Sequence, residues 1–233
     1  MILSLCLGIV SCINGQSYRT VRGNGNVVKK ERSASYFDGV RVSSGIDVYL
    51  SQGDKESIVV EADENLHEYI LTEIRDNVLV VRTDNVNIRE AEVKRVHVTI
   101  SNVKSLRTSS AGDLVCKTPI KADNIELDAS SAGDISTELY AKNVEVDISS
   151  SGNIKMWGTA DILNADLSSA GDLEAFDFKV KEAKVDVSSA GDARINVSDK
   201  LVARASSAGD VTYLGNPKSV DARSSSAGGI HSR

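Results

Sequence analysis

The chain is poor in several residue types that mark other classes of protein. Only 4% of its 233 residues are aromatic, and only two are proline. Its formal charge is −6 at pH 7, so it lacks the excess of basic residues that nucleic-acid binding requires, and we expect no nucleic-acid partner. Beyond the first few positions there is no apolar run of 18 residues, which excludes a membrane-spanning helix there.

Cysteine is also scarce, and two of the three cysteines lie within the first twelve residues. Residues 1–10 are apolar and uncharged, and Ile9-Val10-Ser11-Cys12 resembles the lipobox of bacterial lipoproteins, in which the cysteine becomes the lipid-modified N-terminus. We therefore predict a lipoprotein-type signal segment at 1–11 and lipidation at Cys12. The protein would then be exported as an outer-membrane lipoprotein facing the periplasm or the cell surface, and would contact the membrane through its lipid anchor.

The apolar start departs from a lipoprotein signal in one respect, because no Lys or Arg precedes it. We attribute this to a start site placed too late; the alternatives are a chance apolar terminus or a plain secretory signal. With the segment removed, Cys116 has no partner within the fold for a disulfide framework and is interpreted as a small core residue.

One phrase of five residues repeats through the second half of the chain. Its glycines recur about every 19 residues, a steady period that is typical of a solenoid. Ser-Ser-Ala-Gly-Asp occurs at 109–113, 130–134, 168–172, 188–192 and 206–210, with drifted copies at 149–153 and 225–229.

Around each phrase the residues alternate between apolar and polar, which indicates short strands rather than helix. Coils of about 19 residues stacked at roughly 4.8 Å form a parallel β-helix, and the lack of hexapeptide repeats favours the right-handed form. We expect the phrase glycine to adopt a positive φ at a corner, with the following Asp holding the turn. The same alternation points the second serine of each phrase inward: Ser131, Ser150, Ser169, Ser189 and Ser207. The predicted core is Ile125, Leu127, Ala129, Ile135, Val144, Val146, Ile148, Ile154, Leu163, Ala165, Leu167, Leu173, Val185, Val187, Ala193 and Val211.

The region before the repeats divides into two parts. Residues 12–35 are predicted to be a tether and an edge strand, whose basic cluster (Lys29, Lys30 and Arg32) either touches anionic head groups or is a solvated edge. Residues 36–105 are predicted to be a β-rich lobe that contains a first coil and covers its open end. Apolar spacing predicts one short helix between Asp63 and Ile74, with Asp63 as its N-cap. The parallel β-helix then occupies 106–233.

Three segments of this chain are distinctive: Phe-Asp-Gly-Val-Arg-Val-Ser-Ser-Gly-Ile-Asp-Val-Tyr-Leu at 37–50, Val-Glu-Ala-Asp-Glu-Asn-Leu at 60–66, and the repeated phrase. Together they resemble a bacterial family known for its "head GIN" domain and named as autotransporter adhesins. The family's Gly-Ile-Asn corresponds to Gly45-Ile46-Asp47, with Asp in place of Asn. The resemblance implies an exported protein, in many members a lipoprotein, and its adhesin name is an inference from architecture.

The aspartates of the phrase are the candidate site. Asp113, Asp134, Asp172, Asp192 and Asp210 occupy equivalent corners and are predicted to stack. Two charges about 4.8 Å apart repel by roughly 0.9 kcal/mol even at the dielectric constant of water, so a bound cation such as calcium would stabilise the column. The alternative is that each Asp only forms its turn. No other metal site, catalytic residue or cofactor is predicted.

Catalysis has less support than binding. The candidate carboxylates all belong to the repeat, and His67, His97 and His231 lie far apart and are interpreted as surface residues. We therefore predict a non-enzymatic cell-envelope binding module of the adhesin kind, with a glycan or protein ligand. The alternatives are a β-helical polysaccharide lyase or hydrolase, and a purely structural envelope protein.

Overall fold

The computed structural model describes residues 19–233, so Cys12 and the signal segment lie outside the described residues. The fold is an all-β solenoid of about seven turns with a spacing of 19 residues, as the sequence predicts, and its right-handed sense stays a prediction. The strands before the repeats are β1 (Arg19–Arg22), β2 (Val27–Arg32), β3 (Gly39–Val42), β4 (Asp47–Gln52), β5 (Ser57–Asp63), β6 (Ile70–Arg75), β7 (Val78–Thr83), β8 (Val86–Arg89) and β9 (Lys94–Ile100). The repeat strands are β10 (Ser105–Thr108), β11 (Asp113–Cys116), β12 (Ile120–Ala129), β13 (Asp134–Ile148), β14 (Asn153–Leu167), β15 (Asp172–Val187), β16 (Asp192–Ala205), β17 (Asp210–Leu214), β18 (Ser219–Ser224) and β19 (Gly229–Ser232).

Each coil of the solenoid consists of two arms, which are the strand segments before and after the Ser-Ser-Ala-Gly-Asp turn that joins them. Successive coils pair in parallel and in register, so that Val146 lies between Leu127 and Ala165. A residue therefore stacks on its equivalents in the coils before and after it. All sixteen residues of the predicted core are buried, which confirms that alternation identified the inner face.

The conformation of the turns differs from the prediction. The positive φ angles belong to the second and third residues of each phrase, for example 50° at Ser131 and 59° at Ala132, and not to the phrase glycine. Gly133 N–H donates to the Ser130 carbonyl at 3.0 Å, which closes a four-residue turn with the backbone signs of type I′. The two left-handed residues turn the chain outward. The inward and outward alternation of side chains along a strand therefore does not continue through the turn. The predicted inward serines, Ser131, Ser150, Ser169, Ser189 and Ser207, are all exposed.

The phrase glycine is required by a close approach between coils. A Cβ atom at Gly133 would lie 2.7 Å from Thr108 Oγ1 and 2.8 Å from the Thr108 carbonyl carbon, in the preceding coil. In the first coil the equivalent place belongs to Ile46, whose side chain is completely buried. Glycine is therefore needed where another repeat coil precedes the turn.

The N-terminal lobe continues the solenoid and then closes it. β3 and β4 pair in parallel with β10 and β11, and β7 and β9 stack in parallel on their other edges. Beyond this rung the direction reverses, because β6 pairs antiparallel with β7, and β5 antiparallel with β9. β2 pairs antiparallel with β5 as the outermost strand, and β1 pairs in parallel with β8.

The helix predicted between Asp63 and Ile74 is only a 3₁₀ turn, Glu64–Leu66. β6 begins at Ile70 and pairs with β7, so the backbone groups from Ile70 onward bond within a sheet. Asp63 does not cap the turn. Its buried carboxylate accepts hydrogen bonds from the backbone N–H groups of Gly25, Glu92 and Val93 at 2.9, 3.0 and 3.3 Å. The apolar spacing reflects burial of Leu66 and Ile70 against the lobe.

Candidate functional site

The predicted aspartates of the turns do form one column. Asp47, Asp113, Asp134, Asn153, Asp172, Asp192 and Asp210 are consecutive partners in register. Asn153 interrupts the carboxylates and donates from Nδ2 to Asp134 Oδ1 at 2.8 Å. Burial, and next the neighbouring aspartates, raise the pKa values of Asp113 and Asp172. The column, which we call the turn column, is thus a row of mutually repelling charges.

Among residues 19–233, no group of three or more His, Cys, Asp or Glu side chains is placed to hold a metal ion. Arg194 lies 3.6 Å from Asp192 and offsets part of the charge. Cation binding by Asp113, Asp134, Asp172, Asp192 and Asp210 stays a prediction.

A second acidic column lies on the other side of the turns. Asp128, Asp147, Asp166 and Asp186 stack in register on the arm that precedes the turn. Arg107 continues the column at one end, and Arg204 and Arg223 continue it at the other. Burial raises the pKa of Asp147 first, and Asp166 and Asp128 raise it further.

This second column lines a groove of about 740 Å³ that runs across successive coils. Each Asp stands two residues before the first serine of a phrase, so both side chains project from the same face of the strand. The groove therefore carries one carboxylate and one hydroxyl for each coil in its central part. It is lined by Ser224 and by the first serine of six phrases: Ser130, Ser149, Ser168, Ser188, Ser206 and Ser225. We call it the Asp-Ser groove.

Among residues 19–233, basic side chains approach only one of the four carboxylates of the Asp-Ser groove within 4.0 Å, that of Asp186. At the end near Asp128, Arg107 instead binds Glu126 at 2.7 and 2.9 Å. At the other end Asp186 lies 3.2 Å from Lys184 and 3.8 Å from Arg204. Within the described chain no Lys or Arg nitrogen lies within 4.0 Å of Asp147 or Asp166. The centre of the groove can therefore accept hydrogen bonds from hydroxyl or amine groups of a ligand.

The sequence contains the signal for this groove, although our sequence reasoning did not use it. Asp-x-Ser recurs with the repeat period at 128–130, 147–149, 166–168 and 186–188. The candidate site was predicted at the turn aspartates because they belong to the repeated phrase itself. The second acidic column differs from the turn column because it lines the Asp-Ser groove, a concave surface that also carries hydroxyls.

The lobe holds a charged cluster that does not follow the repeat. Glu61 Oε2 lies 2.6 Å from His97 Nε2, and Lys29 and Arg95 each approach Glu61 to 3.6 Å. The hydrogen bond from His97, more than any other contact, lowers the pKa of Glu61. Because these side chains come from β2, β5 and β9, the cluster ties three strands of the lobe together.

The prediction that the three histidines are surface residues holds for His231, which is exposed, but not for His67, which is buried. His97 is engaged with Glu61, and His67 is 5% exposed, with Nε2 at 3.1 and 3.2 Å from the carbonyls of Val28 and Ala62. Burial lowers the pKa of His67. Both rings act as connections within the lobe.

The basic cluster of β2 is also largely used by the fold. Lys29 lies beside Glu61, and Arg32 Nη2 donates to the His67 carbonyl at 2.9 Å. Lys30 is exposed. These contacts favour the interpretation of a solvated edge over that of a dedicated head-group site.

Comparison with known proteins agrees with this architecture. Residues 36–217 match the family described as "Putative auto-transporter adhesin, head GIN domain". The chain belongs to this family. Its Gly45-Ile46-Asp47 segment forms the turn of the first coil: Gly45 has a φ of 60°, Ile46 fills the core, and Asp47 stacks on Asp113 in the turn column.

Solved structures share the fold of this head GIN domain at low sequence identity. A putative adhesin from Bacteroides fragilis is 17% identical, with a TM-score of 0.85 over 91% of this chain and 100% of its own. A putative adhesin from Parabacteroides distasonis is 23% identical, with a TM-score of 0.75 over 92% of this chain and 100% of its own. A structure from the same species, named as a putative lipid binding protein, is 21% identical, with a TM-score of 0.71 and the same coverage. No curated protein matches the chain.

Between 19 and 233 no helix is long and apolar enough to cross a bilayer.

Proposed function

We propose that this head GIN domain is a non-enzymatic binding module of the cell envelope, of the adhesin kind, and that its ligand lies along the Asp-Ser groove. The observation that carries the proposal is the repetition of one carboxylate and one hydroxyl in each central coil of a single groove. A ligand with repeated hydroxyl or amine groups, a glycan or an extended protein segment, can make the same weak contact in several coils. Such contacts raise the overall affinity together, because after the first contact has formed each further contact forms within the same complex. The adhesin names of the family and of two structural relatives support this class of function.

Three features favour binding over catalysis. The carboxylates of both columns are repeated, whereas general acid and base groups need individual environments that separate their pKa values. The pKa values of Asp113, Asp147 and Asp172 shift in the same direction and for the same first cause, burial. The carboxylate of Glu61, outside the repeat, has a lowered pKa and three basic neighbours, which suits an ion pair rather than a proton donor.

The location we propose is the cell envelope, with a lipid on Cys12 as the anchor. The support is the Ile9-Val10-Ser11-Cys12 segment after an apolar run. Expression in bacteria from a start site with upstream basic residues should label the protein with palmitate, and Cys12→Ala should abolish the label. Label that survives this substitution would refute lipidation at Cys12.

An array of glycans and matrix proteins tests the binding function. The full chain should retain a subset of ligands, and Asp147→Asn combined with Asp166→Asn should weaken that retention at least tenfold. The matched control is Asp134→Asn combined with Asp210→Asn, which removes the same charge from the turn column and should leave retention unchanged. Retention lost in the control pair but kept in the groove pair would place the ligand on the turn column. No retained ligand in any arm would contradict the proposal.

A further inference from the structure

The C-terminal end of the solenoid is an open sheet edge. β18 and β19 pair with β16 and β17, and in the described part of the chain no strand pairs with their outer edges. All six residues of β18 are exposed, and Val220 is 44% exposed although its equivalent Leu201 is fully buried. At the opposite end of the solenoid, antiparallel strands cover the last parallel rung. The two ends are therefore different surfaces.

The backbone direction shows which groups β18 offers to a partner. Ser225 N–H donates to the Ala205 carbonyl at 3.0 Å, so this residue faces back toward the preceding coil. In a strand the N–H and C=O of one residue point to the same side, and successive residues point to opposite sides. The free pairs on the outer edge therefore belong to Val220, Ala222 and Ser224. The side chains of the same three residues continue the inward row of Leu201, Ala203 and Ala205.

The strand is complementary to itself when two copies run antiparallel about Ala222. Ala222 then faces Ala222 of the second copy and exchanges two backbone hydrogen bonds with it, and Val220 does the same with Ser224 of the second copy. Asp221 falls opposite Arg223 of the second copy, on the outer face. The same two residues interact within one strand, with Arg223 Nε 3.1 Å from Asp221 Oδ1. In the pair, Asp221 of each copy faces Arg223 of the other, so two pairs of opposite charges form and no like charges face each other.

We propose that the C-terminal edge is the interface for a second copy of this chain, paired antiparallel through β18 about Ala222. The pairing extends the core by placing Val220 and Ala222 of both copies at the junction, and it satisfies the outward backbone groups of Val220, Ala222 and Ser224. It is isologous, because the same surface serves on both copies, so assembly closes at two chains. The proposal does not depend on the identity of the groove ligand.

Sedimentation equilibrium of the full chain, with charge reversals in β18, tests the interface. The wild-type protein should approach twice 24.9 kDa as its concentration rises. Asp221→Arg alone and Arg223→Asp alone each place like charges opposite each other, and each should raise the dissociation constant at least tenfold. The double variant Asp221→Arg with Arg223→Asp restores opposite charges and should regain the wild-type constant within about threefold.

The control is Lys142→Glu, which reverses one exposed charge far from β18 and should leave the dimer intact. Circular dichroism melting of each variant separates loss of pairing from loss of folding. A wild-type chain that stays monomeric at every concentration, a dimer unaffected by all three variants, or a double variant that remains monomeric while folded would overturn the proposal. Assemblies larger than two that involve β18 would overturn it as well.

Discussion

The turn between the arms gives the sharpest prediction, because neighbouring residues should respond in opposite directions. Gly133→Ala places a methyl group within 2.7–2.9 Å of Thr108 and Ser109, including backbone atoms that cannot move away without parting the coils. Overpacking of this kind costs about 1–3 kcal/mol or more. Ala132→Gly instead relieves a left-handed residue, whose φ is 59°. That conformation costs an L-residue about 1–2 kcal/mol, and the added flexibility of glycine takes back about 0.5–1 kcal/mol.

The two variants should therefore lie about 1–4.5 kcal/mol apart, with Gly133→Ala less stable than the wild type and Ala132→Gly equal to it or slightly more stable. Urea unfolding followed by circular dichroism measures the difference from the two midpoints, provided that the slopes agree. Ser136→Ala, on the half-buried outer face of the next arm, serves as a control for a neutral change of one atom. Equal losses for Ala132→Gly and Gly133→Ala would refute the argument that glycine is required by contact with the preceding coil.

Three further predictions concern charge and burial. Asp147→Asn should stabilise the fold at pH 7 by about 1 kcal/mol, since two neighbours at about 4.8 Å each repel by roughly 0.9 kcal/mol before salt halves the effect. Because the folded pKa of Asp147 is raised, melting curves should show this gain disappearing as the pH falls toward 3.8. Glu61→Gln should lower the melting temperature at pH 7; the folded pKa of Glu61 lies below 4.5, so the difference from wild type should shrink only as the pH falls below 4.5. Burial raises the pKa of the Cys116 thiol to about 11, so iodoacetamide at pH 8 should leave it unmodified in the native chain and alkylate it in urea.

Most of the fold could be predicted from the period of the repeat. Once coils of about 19 residues stack in register, the inward positions follow from alternation along each arm, and Ile125, Val146 and Leu167 lie where that alternation puts them. The turn could not be obtained in this way, because a positive φ at Ser131 and Ala132 is unusual for both residue types and breaks the alternation. The glycine beside them is explained by the carbonyl of a neighbouring coil, a contact that no single repeat contains.

The candidate site was predicted only in part. The turn column could be predicted directly from the repeated phrase. The Asp-Ser groove could not, because its prediction requires knowing which outer face of the solenoid is concave. The approach of Glu61 to His97 joins residues 36 positions apart through the antiparallel pairing of β5 and β9, whose register no local pattern reveals. The helix expected up to Ile74 failed for a related reason, since its apolar spacing also suits a strand that packs against the lobe.

The most direct test of a non-enzymatic binding module is to measure retention and turnover together. The full chain is incubated with a polysaccharide panel, with and without calcium, and each sample is assayed for bound material and for new reducing ends or unsaturated sugars. We predict binding that weakens when Asp147 and Asp166 become Asn, without new ends in any sample. Turnover that disappears when Asp172, Asp192 or Asp210 is changed to Asn would contradict the account and identify the chain as a carbohydrate-active enzyme.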